Sequence, residues 1–245
     1  MHGCGNDFVI LDGRDEPITL TPAQIRDICD RKTGVGCDQL VIMLKSDRAD
    51  VYMDMHNADG TPLEACGNAT RCVADLVNAQ TLETVAGVLH AERKGDLVSI
   101  DMGTAHFPAE PFTDVIDGLS HPVLVNMGNP HAVYFVDDLD KIRYLKTGAA
   151  IENHPFFPER TNVEFAKIIS RDEVFLRTWE RGVGLTLACG SAACATVAAG
   201  VKMGLTNSKI TVQMDGGTLE MELRDDGHVI MTGPTAHVFD GVLKV

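Results

Sequence analysis

The chain has 245 residues, 44% of them hydrophobic, which can bury one large core or two modest ones. A formal net charge of −14 with no Lys/Arg run argues against a nucleic-acid or anionic-membrane surface and leaves a small molecule or a protein as partner. No apolar run approaches the ~20 residues that span a bilayer, and "MHGCGNDF" has neither the basic nor the apolar region of a secretory leader, so the chain reads as cytoplasmic.

In chain order, "FVILDG" predicts a strand ending in a turn. "TPAQIRDICDRKTG" predicts a helix: Pro22 sits at the first helical position, Gln24 follows Thr21 by three residues, and Gly34 supplies a stop. "DQLVIMLK" and "ADVYMDMHN" read as strands joined by a polar turn, ahead of a helix that opens at Cys66 in "EACGNATRCVADLV". "AGVLHAERKGDLVSIDMG" predicts a hairpin turning at Lys94-Gly95-Asp96. Beyond the Pro-rich "HFPAEPFTDVIDGLSHP" come "VLVNMG", "HAVYFVDD", "NVEFAKII" and "EVFLRTWE", a second helix at Cys189 in "LACGSAACATVAAGV", and "KITVQMDGGTLEMELRDDGHVIMTG". Strands, helix, strands thus occurs twice.

Aligning Cys66 with Cys189 sets an offset of 123 residues. The same offset places Gly5 on Gly128, Asn6 on Asn129, Gln39 on Asn162, Asn57 on Glu180, Ala65 on Ala188, Gly67 on Gly190 and Ala69 on Ala192. Identity between these positions is low, but polar residues and cysteines stay in register without a gap. Two α/β domains of similar topology are expected, residues 1–112 and 113–236, with the boundary in the Pro-rich passage.

Seven cysteines, at positions 4, 29, 37, 66, 72, 189 and 194, form no CxxC and are odd in number, which predicts reduced thiols and no structural zinc or other metal. A helix start carries unpaired N–H groups and about half a positive charge, so a thiol there is expected to be more acidic than the usual ~8.5. Gly67 and Gly190 leave room for a ligand carboxylate to approach those N–H groups. The plainer alternative is that Cys66 and Cys189 are small buried apolar residues. Cys29, Cys72 and Cys194 fall at helix-interior positions and read as packing; Cys4 and Cys37 lie in Gly-flanked loops. Two similar halves facing each other would set a base on one side of a bound stereocentre and an acid on the other, an arrangement that inverts it.

"MHGCGNDFVILD", "GVGCDQL", "NADGTPLEACGNATRC", "MGNPHAV", "TNVEF" and "ERGVGLTLACGSAA" together resemble diaminopimelate epimerase over nearly the whole chain, in the family's order. The resemblance implies a cofactor-independent isomerase that interconverts LL- and meso-2,6-diaminopimelate, on the path to lysine and peptidoglycan. Cys66 and Cys189 would be its thiolate/thiol pair. Asn6, Gln39, Asn57, Asn129, Asn162 and Arg181 match substrate-binding positions, as do the backbones of Gly67-Asn68 and Gly190-Ser191. Glu180 also matches a position at the substrate, and with His131 it matches residues that tune thiol protonation.

The implied fold is two similar domains, each a curved, mostly antiparallel sheet or barrel around a central helix, with the site in the cleft between them. A C-terminal strand, residues 237–245, would return to the first domain, and Phe239 would contribute to a homodimer. Two departures from the family stand out. Ala69 and Ala192 replace glycines common there, and the chain starts at "MHG", without the few preceding residues that extend the first strand. Rival readings are a proline or hydroxyproline racemase, a non-catalytic anion-binding protein, and a redox sensor pairing Cys66 with Cys189.

Overall fold

The computed structural model describes residues 1–244. The chain divides into two compact units, one formed by residues 1–100 with the segment from Gly233 onward, the other by Asp101–Thr232.

In the first unit β1 (His2–Gly3) turns back through Cys4 and Gly5, both at positive φ, into the antiparallel β2 (Asn6–Asp12). The predicted capping box opens α1 (Pro22–Cys29): Thr21 Oγ1 accepts from Gln24 N, and Thr21 N donates to Gln24 Oε1. The helix stops at Cys29, short of Gly34. One Asp30 carboxylate oxygen accepts from the N–H groups of Lys32 and Thr33 and from the Thr33 hydroxyl, local bonds that compete with the helical ladder. β3 (Gln39–Leu44) runs parallel to β2, and β4 (Val51–Asn57) antiparallel to β3. The short β5 (Pro62–Leu63) folds back on β4 and leads into α2 (Gly67–Val77). β6 (Thr81–Thr84) lies parallel to β4 and antiparallel to β7 (Gly87–Lys94), and β8 (Leu97–Thr104) follows across the predicted turn at Lys94–Asp96. Leu40 to Met43 are all buried, the mark of a strand covered on both faces. Behind them the buried thiols of Cys29 and Cys37 touch at 3.4 Å.

The second unit repeats this plan. β9 (Val123–Asn126) pairs antiparallel with β10 (Pro130–Phe135); α3 (Tyr144–Glu152) leads to β11 (Asn162–Ser170), parallel to β10. β12 (Glu173–Glu180) and the short β13 (Gly184–Thr186) continue antiparallel, then α4 (Gly190–Lys202) leads to β14 (Lys209–Met214), parallel to β12. β15 (Gly217–Leu223) and β16 (His228–Pro234) complete an antiparallel run. The repeat holds at the level of register: Phe8 opposes Gln39 and His131 opposes Asn162, each pair separated from its counterpart by the offset of 123. In each unit the helix that follows the short return strand is the buried one.

α3 carries no sequence signal at its start, because Arg143 provides no side-chain cap, and Gly148 interrupts its interior. The border between units falls after Ile100, ahead of the expected 112/113. The Pro-rich passage is packed into the second unit: Phe112 is 1% exposed and meets His154, Phe156 and Phe157 with ring centroids 5.0–5.3 Å away. Residues 237–244 form no strand, and Val245, the last residue of the expected 237–245 strand, lies outside the described residues. The return to the first unit is made by Ala236, which exchanges two 2.9 Å backbone bonds with His2, and by Leu243, which packs on the cluster of Ile25, Ile28 and Leu40.

Candidate active site

Cys66 and Cys189 occupy the same place in their units, the residue that caps the buried helix. Both are extended, with φ −147° and ψ 109° at Cys66 and φ −134° and ψ 118° at Cys189. Neither sulfur is used as a side-chain cap, so each stands beside a helix start whose first N–H groups lack intrahelical partners.

In the first unit Asn6 is the hub. Its Oδ1 accepts from Cys66 Sγ at 3.7 Å and from Asn68 Nδ2 at 3.2 Å. Its Nδ2 donates to Gln39 Oε1 at 2.9 Å and Asp38 Oδ2 at 3.0 Å, which fixes the amide with its oxygen toward the thiol. Asp38 is held in turn by Arg31, 2.7 Å away, and Arg31 also binds Asp7. Asn57 opposes Gln39 across the β3–β4 ladder and donates to Thr61 Oγ1. Asn68 accepts from Arg71, a fully buried guanidinium whose Nη2 also lies 4.0 Å from Cys4 Sγ.

In the second unit Cys189 Sγ is 3.5 Å from Ser191 Oγ, which accepts from Asn129 Nδ2 at 3.4 Å. Asn129 Oδ1 is 2.8 Å from His131 Nε2, and His131 Nδ1 is 2.7 Å from Glu164 Oε1. Asn162 accepts from the backbone N–H of Arg181 at 2.9 Å and donates to Pro130 O, tying the β12–β13 turn to β10. The Arg181 guanidinium donates to Glu159 O. Thr186 donates to Glu180 at 2.5 Å. On α3, Glu152 takes the Gly182 N–H and the Trp179 indole N–H, both at 2.7 Å, and so anchors the turn that carries Glu180 and Arg181.

The expected acidification at a helix start does not hold at Cys189. Burial, 7% of the residue being exposed, and then the negative charges of Glu180 and Glu164 push this thiol up; bonds from Ser191 and the Ala192 N–H act the other way and lose. Burial and these charges therefore favour the thiol form of Cys189. Burial also pushes Cys72 up to about 12, in keeping with its packing role. Ala69 and Ala192 are fully buried, so their methyl groups belong to the packing of each unit.

Hydrogen bonds link Asn6, Gln39 and Asn68 to Cys66, and Ser191, Asn129 and His131 to Cys189, whereas Asn57, Asn162 and the Arg181 guanidinium bond to other partners within their units. Phe239 stands apart, 65% exposed in the C-terminal segment. Sequence reading missed Asp38, Arg71, Glu152 and Glu164. The signal for Glu164 was present: at the offset of 123 it stands where the first unit has Val41, a carboxylate in place of a core residue. Among the described residues no three His, Cys, Asp or Glu side chains gather as a metal centre, and no helix is long and apolar enough to cross a membrane.

Comparison with known proteins bears on the family of the chain. The sequence profile described as diaminopimelate epimerase matches residues 1–107 and 123–238. A diaminopimelate epimerase from Acidiphilium cryptum is 47% identical over 261 residues, covering 99% of this chain and 94% of the relative. One from Gluconobacter oxydans is 48% identical over 250 residues, covering 98% and 96%. Among solved structures, a hydroxyproline epimerase from Agrobacterium vitis superposes with a TM-score of 0.71 at 15% identity, covering 95% of this chain and 87% of its own, a likeness of fold alone. The family match over residues 1–107 and 123–238 and relatives 47–48% identical along nearly the full length place the chain in the diaminopimelate epimerase family.

Proposed function

We propose that the chain interconverts LL- and meso-2,6-diaminopimelate without a cofactor, by two-base proton exchange at one α-carbon, in the synthesis of lysine and peptidoglycan precursors in the cytoplasm. The observation that carries this reading is the pair of equivalent cysteines, each the N-cap residue of the buried helix of its unit.

In one direction the Cys66 thiolate takes the α-proton and the Cys189 thiol returns one to the opposite face; in the other direction the roles exchange. The burial and neighbouring carboxylates that favour a protonated Cys189 suit it to begin as the acid. Charge that develops on the near carboxylate is met by the N–H groups at Gly67-Asn68 and Gly190-Ser191. Asn6, Gln39, Asn57, Asn129, Asn162, Glu180 and Arg181 would bind the rest of a molecule with two ammonium and two carboxylate groups. His131 and Glu180 would set thiol protonation. The exposed apolar side chains of Val238, Phe239 and Val242 support a homodimer.

The test is incubation of reduced protein with LL-diaminopimelate in deuterated water. Deuterium should enter mainly the newly formed meso product at early times, and Cys66→Ala or Cys189→Ala should abolish turnover while Cys72→Ala and Cys194→Ala retain most of it. Substantial turnover by Cys189→Ala would overturn the two-thiol mechanism. Racemisation of proline with diaminopimelate untouched would overturn the substrate.

A further inference from the structure

Glu164, in β11, and His131, in β10, have side chains with 0% exposure. One Glu164 oxygen lies 2.7 Å from His131 Nδ1; the other, Oε2, has no hydrogen-bond partner among the described residues. From the far nitrogen of the imidazole the path runs through Asn129 and Ser191 to Cys189, at 2.8, 3.4 and 3.5 Å. A buried carboxyl is thus joined to the thiol within the second unit.

The donors and acceptors along this path can be counted. An amide oxygen only accepts, so with Asn129 Oδ1 facing the ring, Nε2 carries a hydrogen. The 2.7 Å contact then holds one more proton, on Nδ1 or on Oε1, because two lone pairs do not meet at that distance. Ser191 accepts from Asn129, which frees its hydroxyl hydrogen for Cys189 Sγ, an arrangement suited to a thiolate.

With the Asn129 amide turned over, every bond reverses. Nδ2 donates to Nε2, the ring's single hydrogen sits on Nδ1 and goes to a Glu164 carboxylate, Ser191 donates to Oδ1, and the Cys189 thiol donates to Ser191. That arrangement suits a thiol. Both hold the same number of protons and one negative charge, on sulfur in the first and on Glu164 in the second.

We propose that Glu164 is a positioning residue that shares one negative charge with Cys189. The charge resides on Glu164 when Cys189 is a thiol, and on sulfur when the Glu164–His131 pair has taken up a proton. The thiol gives its proton to substrate or solvent and the pair takes one from solvent, so none has to cross the amide. The charged groups facing this path are Glu180, from β12, on Cys189, and His131 on Glu164. Burial disfavours a carboxylate at Glu164, and Glu164 itself disfavours a thiolate at Cys189, so the two compete for the charge.

The inference rests on reading Cys189 as an ionising thiol, and its test needs no turnover. Protein labelled with 15N at histidine is titrated while alkylation of Cys189 by iodoacetamide is followed by peptide mass spectrometry. The His131 ring-nitrogen signals should change at the midpoint of Cys189 alkylation. In Glu164→Gln, which keeps the shape and loses the ionisable proton, that midpoint should fall and the His131 signals should stay flat across it. Flat His131 signals in the unaltered protein, or an unmoved midpoint in folded Glu164→Gln, would overturn the proposal. Lost turnover with an unmoved midpoint would also overturn it, since that is all a purely structural residue would give. Should Glu164→Gln fail to fold, the titration of the unaltered protein decides alone. Coincident midpoints in a protein that does not epimerise diaminopimelate would uphold this inference while overturning the proposed function.

Discussion

Gly148 lies in α3 against the root of the Trp179 side chain: a Cβ built there would stand 2.5 Å from Cδ2, 2.6 Å from Cγ and 2.9 Å from Cβ of the indole residue. Gly148→Ala tests how firmly α3 sets the strand end that carries Glu180 and Arg181. Helix propensity favours the change by about 1 kcal/mol. Overpacking opposes it by about 1–3 kcal/mol, and the crowded atoms lie too near the tryptophan backbone to swing clear. If the indole turns aside it breaks its 2.7 Å bond to the Glu152 carboxylate, which costs about 1.5–3 kcal/mol more. With the bond broken the expected result is a net loss of about 1.5–5 kcal/mol, read as a lower urea midpoint with an unchanged slope. Displacement of Trp179 moves its neighbours, so kcat for diaminopimelate should fall with it. Equal or greater stability with full activity would refute the reasoning, because the helix would then be free to slide away from β12.

Ala69→Gly and Ala192→Gly each remove one methyl group at a fully buried helix position. Each should cost about 0.5–1 kcal/mol in urea unfolding and leave KM unchanged; a lowered KM would mean that the methyl groups intrude on the ligand. His228 bonds Asp101 at 2.9 Å, and that bond and charge raise its imidazole above the usual 6.5. Its stabilisation is therefore complete below about 6.5 and fades as pH rises through the raised value. His228→Asn should cost a few tenths of a kcal/mol near pH 5, the side chain being 40% exposed, and less near pH 8.5. The reverse order in paired urea titrations would contradict the assigned sign.

The features legible in the sequence were those with local chemistry or exact periodicity. Thr21, Pro22 and Gln24 announce α1 because a capping box is made by neighbours along the chain. The offset of 123 announces the duplication because both units keep the same ladder registers, down to Gln39 and Asn162. What escaped depends on contacts far along the chain. The end of α1 is decided by how Asp30 spends its carboxylate, and α3 by Gly148 fitting against Trp179 from β12. The Pro-rich passage looks like a linker until Phe112 is seen among Phe156 and Phe157. The acidity of Cys189 was misjudged for the same reason: a helix start is visible in sequence, whereas burial and two carboxylates on separate strands are not.

The duplication copied the thiols but not their surroundings. Cys66 is met by an amide oxygen that Gln39 and Asp38 hold in place; Cys189 is met by a hydroxyl, with Glu180 and Glu164 acting on it through space. In the two-thiol exchange proposed above, identical thiols would ionise alike, and the population would split between two forms, each able to start from only one stereoisomer. Unequal surroundings break that tie. Under that proposed exchange, divergence between the repeats would bias which isomer the free protein is ready to receive, through residues that need never touch the substrate.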